Sequence, residues 1–153
     1  MKLLVPVMGG IVLLDQLTKA MVREWMPLHT MREIVPGLFN LVHVRNTGAA
    51  FSLLAGAHSS LRLVFLVGLT LLVMGILFYA YRKLSPRDRW VRAAYSLILG
   101  GAAGNLVDRV WLGEVVDFLD FYVGTYHWPA FNVADTAIST GAVMVLLSFF
   151  RWK

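Results

Sequence analysis

Residues 63–81 read LVFLVGLTLLVMGILFYAY, a run without one charged side chain. At about 1.5 Å per residue, a helix over it is roughly 28 Å long, close to the ~30 Å hydrocarbon core of a bilayer. The run predicts a transmembrane helix, with the span placed at 61–81. Working outward, three more stretches of similar length and character follow: 3–26, 93–112 and 132–150. At 58% hydrophobic residues the chain exceeds the about 45–50% usual for soluble domains. Four spans with short connections leave no room for a separate soluble module, so residues 1–153 are expected to form one integral membrane domain.

Lys2 and the apolar residues 3–14 resemble the start of a secretory signal. No small-x-small site closes the stretch, however. It runs on through Asp15-Gln16-Leu17-Thr18-Lys19 into Ala20-Met21-Val22, so a retained first span is expected. Basic residues set the orientation. Lys2, the cluster Arg82, Lys83, Arg87, Arg89 and Arg92, and the pair Arg151 and Lys153 fall on one side, which predicts both termini in the cytoplasm. Residues 27–60 and 113–131 then face outward. The net charge of +5 reports this topology and anionic lipid headgroups; no basic stripe with interleaved aromatics points to nucleic acid. The lack of cysteine excludes disulfides, a thiol nucleophile and thiolate metal sites.

The outward segments have structure of their own. Pro36-Gly37 marks a turn, 39–44 reads as a strand, and Asn46-Thr47-Gly48 marks a second turn. Residues 49–57, with Phe51, Leu53 and Leu54 among small side chains, predict a short element on the membrane surface. In the third span Gly100 and Gly104 form a small-xxx-small face suited to close helix packing. Residues 115–122 read as a strand with Asp117 on one face and Asp120 on the other, so Asp120 is not expected to partner Asp117.

Carboxylates beside membrane spans are costly, about 2.5–3.5 kcal/mol at a helix centre, and call for a partner or a purpose. Asp135 can be explained as the N3 member of a capping pattern begun by Asn132, at a helix start that favours negative charge. Asp117 interrupts an apolar β run, where a solvated strand face is the plain alternative to catalysis. Eighteen residues separate the two, a linker able to reach roughly 60 Å, so spacing alone does not force them together. If they meet, they share a proton. One carboxylate then draws a proton from water and the other donates to a scissile carbonyl. Asp108 and Arg109, with Asn105 nearby, read as a local ion pair or as groups that orient substrate. Asp15 and Lys19, at i and i+4 with the acid first, read as a structural bridge toward the outer strands or as a proton path.

Other chemistries have weaker support. No Gly-x-Ser-x-Gly elbow is present, and His29, His43, His58 and His127 lack metal-ligand spacing such as His-Glu-x-x-His, so no metal or cofactor is expected. A proton-coupled transporter would carry acids near the midplane and internal repeats; here the acids gather at the outer end. A non-catalytic assembly factor would have no need of two matched aspartates.

Five motifs in order then become legible: Asp15-Gln16-x-Thr18-Lys19; Val44-Arg45-Asn46-Thr47-Gly48-Ala49-Ala50-Phe51; Gly100-Gly101-Ala102-x-Gly104-Asn105-Leu106-x-Asp108-Arg109; Val115-Val116-Asp117-Phe118; and Phe131-Asn132-x-Ala134-Asp135. Together they resemble the bacterial lipoprotein signal peptidase (signal peptidase II) family across essentially the whole chain. The resemblance implies four transmembrane helices, a small extracytoplasmic β-cradle and an interfacial helix in the bacterial inner membrane, with the active site near the outer leaflet. It implies an aspartyl endopeptidase whose substrate is a prolipoprotein carrying diacylglyceryl cysteine, cut on the amino side of that cysteine, and inhibition by globomycin. Asp117 and Asp135 match the family's catalytic pair. Asn46, Asn105, Asp108, Arg109 and Asn132 match supporting positions, and Asp15 and Lys19 match residues that brace the cradle.

Overall fold

The computed structural model describes residues 2–48 and 59–151. The surface element expected at 49–57 lies outside them, as do His58 and Lys153. In chain order the elements are α1 (Leu4–Trp25), β1 (Met31–Val35), β2 (Phe39–Asn46), α2 (Ser59–Lys83), α3 (Arg89–Leu112), β3 (Val115–Val123), β4 (Tyr126–His127) and α4 (Val133–Arg151). Each expected span is a helix. The third starts four residues earlier than its apolar run, because Arg89 and Arg92 join its first turn.

Three of the helices, α1, α2 and α4, are long and apolar enough to cross a membrane by length and composition. The remaining one, α3, is the hub on which the other three pack. Its buried face is small or polar: Ala94, Ser96, Gly100, Gly101, Gly104, Asn105 and Asp108, with Leu99. Small residues let neighbours approach its backbone. A methyl group on Gly100 would press on Met8 and Ile11 of α1, and one on Gly104 would lie 2.7 Å from the Asp15 carboxylate. Both glycines of the predicted face therefore serve the α1 contact. Gly101 serves α4, where a methyl would strike the Ala134 carbonyl, and Gly141 of α4 answers with the same close approach to Ala94 and Ile98. These contacts make α1 parallel and α4 antiparallel to α3. By contrast α2 buries none of its apolar window, as suits a helix whose solvent is lipid.

At one end of the bundle the strands form an antiparallel sheet in the order β1-β2-β3-β4. The two strands read from sequence are its centre, each slightly longer than expected. The flanking β1 and β4 were not expected. Gly113, in the left-handed conformation at φ 78°, ends α3 and turns the chain into β3. Between β2 and β3 the register shifts: Leu41 faces Leu119 and Val44 faces Asp117, so Val42 and His43 together oppose Phe118. Such a bulge increases local twist. β3 itself is buried on both faces from Val115 through Phe118.

Candidate active site

Asn132, the residue before α4, joins the two aspartates. Its side-chain oxygen accepts the Asp135 backbone N–H at 2.9 Å, and its own backbone N–H donates to Asp135 Oδ2 at 3.2 Å. This reciprocal pair is a capping box, the arrangement predicted by the Asn-x-x-Asp spacing. The same side chain reaches across to β3, where its Nδ2 donates to Asp117 Oδ1 at 2.7 Å and to the Val116 carbonyl at 3.2 Å. One asparagine therefore holds both carboxylates, on elements far apart in the chain.

Asp117 is only 2% exposed, which removes the solvated-strand alternative. Its second oxygen accepts from Asn46 Nδ2 at 3.0 Å, so each oxygen has an amide donor and, among the described residues, neither has a cation in contact. Burial, opposed by the Asn46 bond and reinforced by the nearby charge of Asp135, pushes its pKa up to about 6. Asp135 is half-buried, its Oδ1 accepting from Asn105 Nδ2 at 2.7 Å. It lies in the first turn of α4, where the helix dipole favours negative charge.

Beneath this pair lies a fully buried polar layer. Lys19 directs its ammonium at three acceptors: Asp15 Oδ2 at 2.8 Å, Asp108 Oδ2 at 2.9 Å and Asn105 Oδ1 at 3.0 Å. Those three contacts use all of its donors. Asp15 also accepts the Ala134 backbone N–H at 2.9 Å, and Asp108 accepts that of Val116 at 3.0 Å. Asp15 and Lys19 therefore bind α1 to the start of α4 and the end of α3, and Asp108 carries the layer on to β3.

The local Asp108–Arg109 pair anticipated from sequence does not form. Successive helical residues point about 100° apart, so Asp108 turns inward to Lys19 while Arg109 takes another face. Arg109 lies within electrostatic range of Asp135, Asp108 and Asp117 together.

Some polar residues of this end had no assigned role in the sequence reading. Gln16 donates to Asp108 Oδ1 at 2.9 Å and to the Gly104 carbonyl at 3.2 Å, closing the layer from the α1 side. Its place inside the first motif was the available signal. Asp120 faces away from Asp117, as the strand period predicted, and forms a separate cluster. It accepts from Asn40 Nδ2 at 2.8 Å and pairs with His127 Nδ1 at 3.0 Å. His43 is buried in the bulge with Nδ1 2.8 Å from the Met26 carbonyl.

The chain is similar to known proteins over most of its length. Residues 7–151 match the family model for signal peptidase (SPase) II. The lipoprotein signal peptidase of Syntrophotalea carbinolica is 48% identical over 141 residues, covering 92% of this chain and 86% of that protein. That of Vibrio cholerae is 51% identical over 121 residues, 79% of this chain and 70% of the relative. Among solved structures, a bacterial membrane enzyme determined by the in meso method at 1.9 Å superposes with a TM-score of 0.86. It is 30% identical, over 97% of this chain and 93% of that one.

Proposed function

The chain belongs to the signal peptidase II family, a family of membrane proteases, and from that premise we propose that it is an aspartyl endopeptidase of prolipoproteins. Its substrate carries diacylglyceryl cysteine and is cut on the amino side of that residue. The observation that carries the reading is Asn132, which hydrogen-bonds to both Asp117 and Asp135 and so assembles two carboxylates at one point.

In this reading the pair shares one proton. Asp117 is the member whose surroundings favour the protonated form, since burial raises it to about 6. It donates to the oxygen of the scissile carbonyl. Asp135, half-exposed and at a helix start, takes a proton from water as that water attacks the carbonyl carbon. The tetrahedral intermediate then collapses, and the amine of the lipidated cysteine leaves with a proton returned from the pair. No covalent enzyme intermediate forms. Asn46 and Asn105 fix the two carboxylates from opposite sides, and the charge of Arg109 offsets their mutual repulsion. Lys19, itself held by Asp108, orients Asn105 from below.

The site lies at the sheet end of the bundle, where a substrate anchored by its acyl chains meets water. In our reading all four helices span the bacterial inner membrane as one domain. The termini are cytoplasmic, the site is near the outer leaflet, and globomycin blocks it. The test is cleavage of a diacylglyceryl prolipoprotein peptide by purified protein. Asp117→Asn and Asp135→Asn should each lower kcat by about 100-fold or more, the usual scale for losing a general acid or base, while melting as folded proteins. Near-normal turnover by either variant would remove that residue from the mechanism.

A further inference from the structure

The end of the bundle opposite the two aspartates holds a polar feature that peptide hydrolysis does not use. A cavity of about 400 Å3 opens between the start of α1 and the α2–α3 connection, lined by Lys2, Leu3, Pro86, Arg89 and Arg92. Three of these side chains are cations and none is a carboxylate. Among the described residues none of the three cations joins an ion pair. Asp88, adjacent in sequence, makes no capping hydrogen bond and does not line the cavity.

Arg92 is held in position without being neutralised. Its Nη1 donates to the Leu84 carbonyl at 3.2 Å and its Nη2 to the Tyr81 hydroxyl at 2.8 Å, and the guanidinium lies 4.3 Å from the Tyr81 ring centroid. All of these partners are uncharged. The backbone adds potential of the same sign. Helices α1 and α3 both begin here, neither start is capped by a side chain, and neither first turn contains an acid. A partly buried guanidinium and two further cations, with no carboxylate in the lining or in ion-pair contact among the described residues, describe a site that is incomplete without an anion.

We propose that this cavity binds the phosphate group of an acidic glycerophospholipid in the leaflet opposite the aspartate pair. Guanidinium forks match phosphate oxygens, and Lys2 adds a point charge. Leu3 and Pro86 give the cavity an apolar side, continuous with the core of Leu4, Tyr81 and Leu99 below it. A free phosphate would gain nothing from that side, whereas a lipid glycerol and its first acyl carbons would. The bound headgroup bridges the start of α1 to the start of α3.

The test uses the full chain in neutral detergent, offered equimolar phosphatidylglycerol and phosphatidylcholine, with native mass spectrometry reading the lipid retained. Wild-type protein should retain phosphatidylglycerol preferentially. Arg89→Gln should weaken it about fivefold, and Lys2→Gln with Arg89→Gln about 25-fold, at roughly fivefold per cation near a lipid surface. Arg92 and its contact with Tyr81 stay intact in both. Arg82→Gln with Arg87→Gln removes two cations of the same membrane face outside the cavity and should leave retention nearly unchanged. Equal loss in the two double variants, or no preference in the wild type, overturns the proposal. Inorganic phosphate is the remaining arm: if it displaces the lipid and alone raises Tm as much, the ligand is a soluble phosphate and the lipid assignment falls.

Discussion

Asn46 tunes Asp117 without belonging to the proton pair. Its amide favours the charged carboxylate and pulls the pKa down, against the larger upward push of burial. Asn46→Ala removes the downward pull, so Asp117 holds its proton to higher pH. If Asp117 is the acid, the basic limb of a kcat/KM profile is set by loss of that proton, and it should move to higher pH in the variant. A limb that moves to lower pH would count against this assignment. Lys19 tests the layer beneath. Lys19→Met leaves Asp15 and Asp108 buried without their shared cation, a loss of the kind that costs about 3–5 kcal/mol. Thermal melting in detergent should show a large drop, and an unchanged Tm would mean that Gln16 and backbone donors suffice. At this scale the sequence was informative wherever a residue broke a local rule. Asp117 stood out inside an apolar strand and Asn132 sat at a helix start. The Asn40–Asp120–His127 cluster was not legible, because Asn40 and Asp120 are ordinary residues that meet only through strand pairing eighty positions apart.

Among the elements, α3 shows how much of a helix interface composition conceals. The run from Gly100 to Gly104 announced close packing but offered several faces, and only the arrangement of α1 and α4 assigns them. Gly101 meets the backbone of α4, which cannot yield as a flexible side chain would. Gly101→Ala should therefore cost about 1–3 kcal/mol of stability and disturb the start of α4 on which Asp135 sits. Gly10→Ala, on a part of α1 with nothing within 4 Å, should be neutral or stabilising, since alanine favours helix by roughly 1 kcal/mol. Paired melting curves and turnover would check both, and equal effects would contradict the packing assignment. Spans announced themselves by length and apolarity, and the central strands by their β-branched and aromatic content. The flanking strands did not. Every residue of β1 is exposed, with Arg32 and Glu33 interrupting its apolar pattern, and β4 is two residues long. Neither carries enough periodicity to be seen before its neighbour pairs with it.

For the whole molecule, the two ends of the bundle carry different side chains. Trp25, Trp111 and Trp128 are all exposed near the sheet end, as the proposed placement of that end at headgroup level requires of amphipathic rings. Lysines and arginines crowd the other end. Reporter fusions after Arg87 and at the C-terminus should read cytoplasmic, and one near His58 should read external. An external signal at Arg87 would invert the orientation and place the aspartate pair on the wrong face. The Asp15–Lys19 bridge has a consequence for how such a chain is made. Helix α1 emerges from the ribosome long before α3, so the charged pair within it, Asp15 and Lys19, must first meet lipid without Asp108 or Asn105. A lone charge at a helix centre costs about 2.5–3.5 kcal/mol on insertion scales. Acid and base one turn apart on the same helix enter instead as a neutral couple, 2.8 Å from each other. The newborn first helix thus carries its own counter-ion into the bilayer, and later helices are needed to complete the buried polar layer, not to make the first one soluble in lipid.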